Sequence, residues 1–217
     1  MYGPNDKNCK GCIPKLQMYY YFNYAARAIA GKIYDKIWAI GVGERNSGKG
    51  ILNLLITESF EDFVKSTNSG NYTKKSISAG DNAKANSWMS RFVYKRFAFS
   101  DEIEGTLDGN EIKMWASGGD SIEMRTNFKD EVDSQKQAKT IINCNTLPKV
   151  ESKDADCKDT CIVFNYRNKF VSQEKFDQFD EMEKLRHSLK NDTIKSYIKN
   201  NLCVRCIYTY NFGSLYR

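Results

Sequence analysis

Gly43-Glu44-Arg45-Asn46-Ser47-Gly48-Lys49-Gly50 is the stretch whose reading decides the fold. It fits the pattern G-x-x-x-x-G-K, in which glycines let the backbone pass close to a triphosphate and a lysine reaches its outer phosphates. The flanks are those the pattern needs. Ile37-Trp38-Ala39-Ile40 before it reads as a buried strand, and Ile51-Leu52-Asn53-Leu54-Leu55-Ile56 after it reads as a helix packed on that strand. The loop amides and the helix N-terminus then aim donors and partial positive charge at an anion. Gly43, Asn46, Ser47, Gly48, Lys49, Gly50 and Ile51 are the expected nucleotide contacts, with Lys49 on the β- and γ-phosphates of ATP. The Ser or Thr whose hydroxyl usually binds Mg²⁺ is replaced by Gly50. The alternative is a plain glycine turn between a strand and a helix.

Composition sets wide bounds around this loop. A chain of 217 residues suits one α/β domain, or one with a small appendage. A net charge of +6 permits a nucleic-acid partner without demanding one. The N-terminus lacks a basic-then-apolar signal pattern, and no apolar run approaches ~18 residues, so an intracellular protein without a membrane span is expected. The seven cysteines read as reduced thiols. Cys9-x-x-Cys12 and Cys203-x-x-Cys206 resemble zinc knuckles, but ribbons set such pairs ~15–20 residues apart. They could share a metal only if the termini meet, and free thiols are the simpler reading. His187 is the single histidine, which rules out a two-histidine zinc motif.

Along the chain, 16–34 reads as a helix, 62–67 as a short second strand and 66–81 as a polar loop. A helix is expected over 82–94, an apolar strand over 96–102 and a short helix over 109–116. Residues 129–139 read as an exposed hairpin or loop, 140–145 and 160–166 as further strands, and 172–201 as a charged helical tail. These elements divide into a helical lead-in (1–35), a core (36–171) and a helical C-terminal tail (172–217). Strands that alternate with helices, and that are apolar rather than alternating in pattern, predict an α/β fold. Its sheet is mostly parallel and covered by helices on both faces.

In open α/β sheets, ligands bind beyond the carboxyl ends of the strands. The phosphate loop follows one strand, Asp101-Glu102 ends a second and Asn145 ends a third. Asp101 can hold Mg²⁺, Glu102 can polarise an attacking water, and Asn145 can orient that water or sense the γ-phosphate.

The ordered set of motifs resembles that of superfamily 3 helicases, AAA+ type P-loop ATPases of DNA viruses. The nearest likeness is to the helicase domain of poxvirus and giant-virus primase-helicases. Its carriers are the loop above, Phe99-Ser100-Asp101-Glu102, Ser117-Gly118-Gly119-Asp120-Ser121-Ile122-Glu123-Met124-Arg125, and Ile142-Asn143-Cys144-Asn145-Thr146-Leu147-Pro148. The resemblance implies a ring, usually hexameric, that couples ATP hydrolysis to movement along single-stranded DNA. It implies ATP and Mg²⁺ as cofactors, and Lys49, Asp101, Glu102 and Asn145 in the family's ATP-site roles. It further implies other replication proteins as partners and a place in the infected host cell, cytoplasm or viral factory. Arg125, Lys129, Lys136 and Lys139, with Phe128 among them, are the expected DNA contacts in a channel loop; the alternative is a solvated charged loop. The family supplies an arginine finger after its third motif, where this chain offers only Lys158 and, further on, Arg167. Family members carry a primase or other N-terminal domain, so a piece of a larger primase-helicase is one expectation. Gly50 and the missing arginine leave open a catalytically weakened nucleotide-binding subunit, structural or regulatory in replication. A small-molecule kinase gives no reason for Gly118-Gly119-Asp120 or Leu147-Pro148.

Overall fold

A computed structural model describes residues 12–73, 87–103, 105–125, 131–151 and 156–201. The first helix, α1 (Cys12–Ile29), is followed by β1 (Trp38–Val42), α2 (Lys49–Phe60) and β2 (Val64–Thr67). Next come β3 (Phe97–Glu102), β4 (Thr106–Asp108), α3 (Gly109–Trp115), β5 (Ser121–Arg125), β6 (Glu131–Gln135) and β7 (Lys139–Cys144). The chain continues through β8 (Lys149–Glu151), α4 (Asp156–Asp159), β9 (Cys161–Asn165) and β10 (Lys169–Val171). It closes with α5 (Gln173–Asp177), α6 (Glu181–Lys184), β11 (His187–Leu189) and α7 (Ile194–Asn200).

The central sheet has the order β2-β3-β7-β1-β9, and all its pairings are parallel. Parallel pairs require crossovers, and crossovers cover both faces, which is why β7 is buried along its whole length. Successive side chains take opposite faces of the sheet. Ala39, Phe97, Phe99, Ile141 and Phe164 meet α1 and α2 through Tyr21, Tyr24, Ala25 and Ile56. Trp38, Ile40, Ala98 and Ile142 face the other way, onto Tyr72, Phe92, Ile112 and Trp115. Tyr24 is fully packed yet satisfied, since its hydroxyl donates to the Thr140 carbonyl at 2.6 Å.

Three expectations change in detail. Helix α1 stops at Ile29 rather than running to 34, because Gly31 turns the backbone left-handed (φ 70°). Of the helix expected over 82–94, the described part is a 3₁₀ turn, Ser87–Phe92. The tail is not one helix. It breaks into three short helices, and β11 pairs in parallel with β10 (Phe170 opposite Ser188). A capping box on Asp180 and Glu183 starts α6 afresh, and a segment without a continuous apolar stripe cannot hold one long helix against the core.

The hairpin is antiparallel, β5 with β6, and begins at Ser121 rather than 129. Lys136 and Lys139, expected on its exposed surface, are buried at 4% and 3% exposure. Lys139 opens the central strand β7 and ion-pairs with Asp35, which Arg27 also holds at 2.7 Å. Lys136 lies 4.3 Å from the Trp115 ring centroid and donates to the Ala138 carbonyl at 3.2 Å. Neither ammonium can follow a strand of DNA from inside the core. The Arg125 side chain and the whole of Lys129 lie outside the described residues.

Candidate active site

Three strand ends build the site. Gly48 caps α2 with a left-handed backbone (φ 92°), and Asn46 takes the same region (φ 65°), so the loop curls over the helix start. Gly43 is required by space. A Cβ there would sit 2.7 Å from the Ser47 hydroxyl and 2.9 Å from the Tyr166 carbonyl oxygen. Lys49, 7% exposed, donates to the carbonyls of Gly43 and Cys144 (3.1 Å for the latter) and to Asn145 Oδ1 at 3.1 Å. Asn145 Nδ2 in turn donates to Glu102 Oε2 at 2.8 Å, and Glu102 Oε1 lies 3.8 Å from the Lys49 ammonium. Lys49, Asn145 and Glu102 therefore form one connected cluster, with the Glu102 side chain half exposed to solvent. Asp101 ends β3 beside Glu102, but its side chain is outside the described set.

A bulge positions the carboxylate. Between Phe99 and Glu102 the register of β3 against β7 slips, so that Glu102 pairs with Asn143. Asn143 stitches the slip. Its amide nitrogen donates to Ser100 Oγ and its Nδ2 to the Ser100 carbonyl, both at 2.9 Å, while its carbonyl accepts from Ile103 N. Gly41 leaves the room for it, since a Cβ there would lie 2.9 Å from Asn143 Oδ1. Sequence reasoning passed over Asn143 because it sits inside a strand, not at its end.

The segment after β9 also grips the loop. Tyr166 N donates to the Val42 carbonyl at 2.7 Å, Phe170 N donates to the Asn46 carbonyl at 2.9 Å, and the Phe170 ring lies against Gly48. Lys169 pairs with Glu44 at 2.8 Å and holds that carboxyl below its usual range. Arg167 is exposed in this segment, whereas Lys158 is exposed on α4, at the other end of the sheet. Burial pushes the Cys144 thiol up to about 11 and the Cys161 thiol up to about 12, so both are protonated at neutral pH. His187 is in β11, with Nδ1 2.7 Å from the Glu183 carbonyl oxygen and its ring against Phe179. Among the described residues no His, Cys, Asp and Glu cluster forms a metal site, and no helix is long and apolar enough to cross a membrane. Cys9, Cys203 and Cys206 and the Cys12 side chain lie outside the described set.

No family model matches the chain. The Sputnik virophage protein named as a helicase, V13, is 27% identical over 173 residues, covering 79% of this chain. The chain spans 22% of that protein's length. Among solved structures, the NrS-1 C-terminal region (305–718) superposes with a TM-score of 0.58 at 17% identity, covering 88% of this chain and 39% of its own. A second structure of that region superposes at 0.59, with 18% identity and 90% of this chain covered. The chain is thus related in sequence to a virophage protein named as a helicase, and it shares the mixed α/β fold of the NrS-1 C-terminal region.

Proposed function

We propose that this chain is the ATPase core of a viral replication helicase of the superfamily 3 type. It would couple hydrolysis of ATP with Mg²⁺ to movement along single-stranded DNA, as a ring of like subunits working with other replication proteins. The observation that carries the reading is the meeting of Lys49, Asn145 and Glu102 beyond the ends of adjacent strands, with the phosphate loop beside them.

The residues present fit the nucleotide. The Ser47 hydroxyl is buried without a partner and faces the space that Gly43 keeps open. The N-terminus of α2 adds amide donors. Bound ATP with Mg²⁺ supplies the electrophilic γ-phosphate; Asp101, with waters, is the residue to hold the metal. Lys49 neutralises phosphate charge, and Glu102 takes a proton from the attacking water. Asn145 fixes the Glu102 carboxylate by the 2.8 Å bond and spans to Lys49, so both polar ends of its amide are used.

Gly50 favours the second reading, a nucleotide-binding replication subunit with weak turnover, because it lacks the metal-binding hydroxyl. One assay separates the two. ATP hydrolysis is measured with and without single-stranded DNA, for the parent and for Lys49→Ala. The motor reading expects DNA-stimulated turnover that Lys49→Ala abolishes along with ATP binding. Nucleotide binding without turnover would leave the second reading standing, and unchanged affinity in Lys49→Ala would overturn both.

A further inference from the structure

At the opposite end of the sheet a cavity of about 310 Å³ opens between α3, α4 and the amino ends of β1 and β9. Its volume lies at the lower end of the ~300–1,000 Å³ of small-ligand sites. Lys36, Lys113, Ser117 and Thr160 give it a polar lining, Trp38 and Ile112 an apolar floor, and exposed Asp120 is its one carboxylate among the described residues. The walls are tied together, since Trp38 Nε1 donates to the Cys157 carbonyl at 2.8 Å.

The glycine pair of Ser117-Gly118-Gly119-Asp120, which the ATP site leaves unused, is explained here. Gly118 and Gly119 are left-handed (φ 78° and 103°). A Cβ on Gly118 would lie 3.1 Å from Lys36 Cγ and 3.3 Å from its Cε. The Lys36 stem therefore lies across the glycine, which lets this side chain line the cavity. Lys36 itself ends a tight turn (φ 57°, N to the Ile33 carbonyl 3.0 Å). Lys113 and Lys158 both act on the Cys157 thiol in the wall, against the rise caused by burial and by Asp108. The lining segment 117–120 runs directly into the β5–β6 hairpin.

We propose that this cavity holds a phosphodiester of single-stranded DNA, with Lys36 and Lys113 as point charges, Ser117 as a hydroxyl donor, and the apolar floor under the sugar. The proposal rests on the reading of the chain as a single-stranded DNA translocase.

The test is a salt titration of a fluorescent oligo-dT by anisotropy, comparing the parent with Lys36→Ala/Lys113→Ala and with Lys36→Arg/Lys113→Arg. Losing the one phosphate contact that the two lysines share should lower the log–log salt slope by ~0.7, about a 2.6-fold smaller loss of affinity over a fourfold rise in salt. The arginine pair should keep the parent slope, and both variants should bind ATP as the parent does. Gly118→Ala, which displaces Lys36, should move toward the alanine pair. A parent that binds DNA with a slope the alanine pair leaves unchanged would overturn this site but not the translocase. A parent that binds no DNA would overturn both. If free dTMP saturates the site, dependent on Lys36 and Lys113, while the oligo-dT slope is unmoved, the cavity is a mononucleotide site and the strand proposal fails.

Discussion

Adding one methyl group at Gly43 tests whether the close-packed loop is the nucleotide site. In Gly43→Ala the new Cβ would lie 2.7 Å from both Ser47 Oγ and Tyr166 Cβ, and 2.9 Å from the Tyr166 carbonyl oxygen. Carbon atoms in ordinary contact stand ~3.5–4.0 Å apart, so something must move by roughly 1 Å. Tyr166 cannot withdraw easily, because its amide is bonded to the Val42 carbonyl at 2.7 Å. The loop must yield instead, carrying Ser47 and the start of α2 with it. Overpacking of this kind costs ~1–3 kcal/mol. Expressed wholly in nucleotide affinity, that is roughly 5- to 150-fold. Gly50→Ser is the control, because a Cβ at position 50 meets nothing within 4 Å. The serine should leave affinity intact and lower the Mg²⁺ concentration needed for half-maximal turnover. Titration of a fluorescent ATP analogue, alongside thermal melts, reads both variants. Gly43→Ala with parental affinity and melting temperature would refute the steric argument. An equal loss in Gly50→Ser would show that crowding is not the cause.

Three further outcomes are expected. Glu102→Gln can still accept the Asn145 hydrogen bond but is no base, so ATP affinity should hold while kcat falls ~10²–10⁴-fold; parental turnover would remove Glu102 from that role. Lys136→Met should melt no lower than the parent at pH 7, since burial holds the Lys136 ammonium well below its usual pKa and so penalises the folded state. That advantage should fade as the pH rises towards ~10.4, where the unfolded lysine also discharges, and a clear loss of melting temperature at pH 7 would contradict it. Asp35→Asn should melt below the parent at pH 7. Burial pushes the Asp35 carboxyl up, but Lys139, the Ile37 amide and Arg27 outweigh it and hold the group below its usual range. Its stabilisation is therefore complete above the unfolded pKa of ~3.9 and lost as pH falls through the lower folded value, so the two melting curves should converge in acid. A gap that stays constant down to pH 2 would mean the charge of Asp35 is not what stabilises.

The chain's own residues determined the sheet and the order of its motifs. Ile37-Trp38-Ala39-Ile40 is apolar on every position and Ile141-Ile142 is a second such run, which only strands covered on both faces can use. The loop between β1 and α2 announces itself because glycine and lysine at fixed spacing reflect local backbone geometry. Local geometry, however, says nothing about which distant groups meet. That Asn145 would bond both Lys49 and Glu102 follows from β7 lying between β1 and β3, a pairing set by packing of the whole sheet. The slip in β3 that Asn143 stitches is equally invisible in a run reading Phe-Ala-Phe-Ser-Asp-Glu. Lys136 and Lys139 mark the sharpest divide. Their charge reads as solvent-facing in the sequence, yet Asp35, 104 positions before Lys139, and the face of Trp115 take these ammonium groups into the core. Whether a cation is buried depends on the partner that the fold brings to it, and only the tertiary structure supplies that partner.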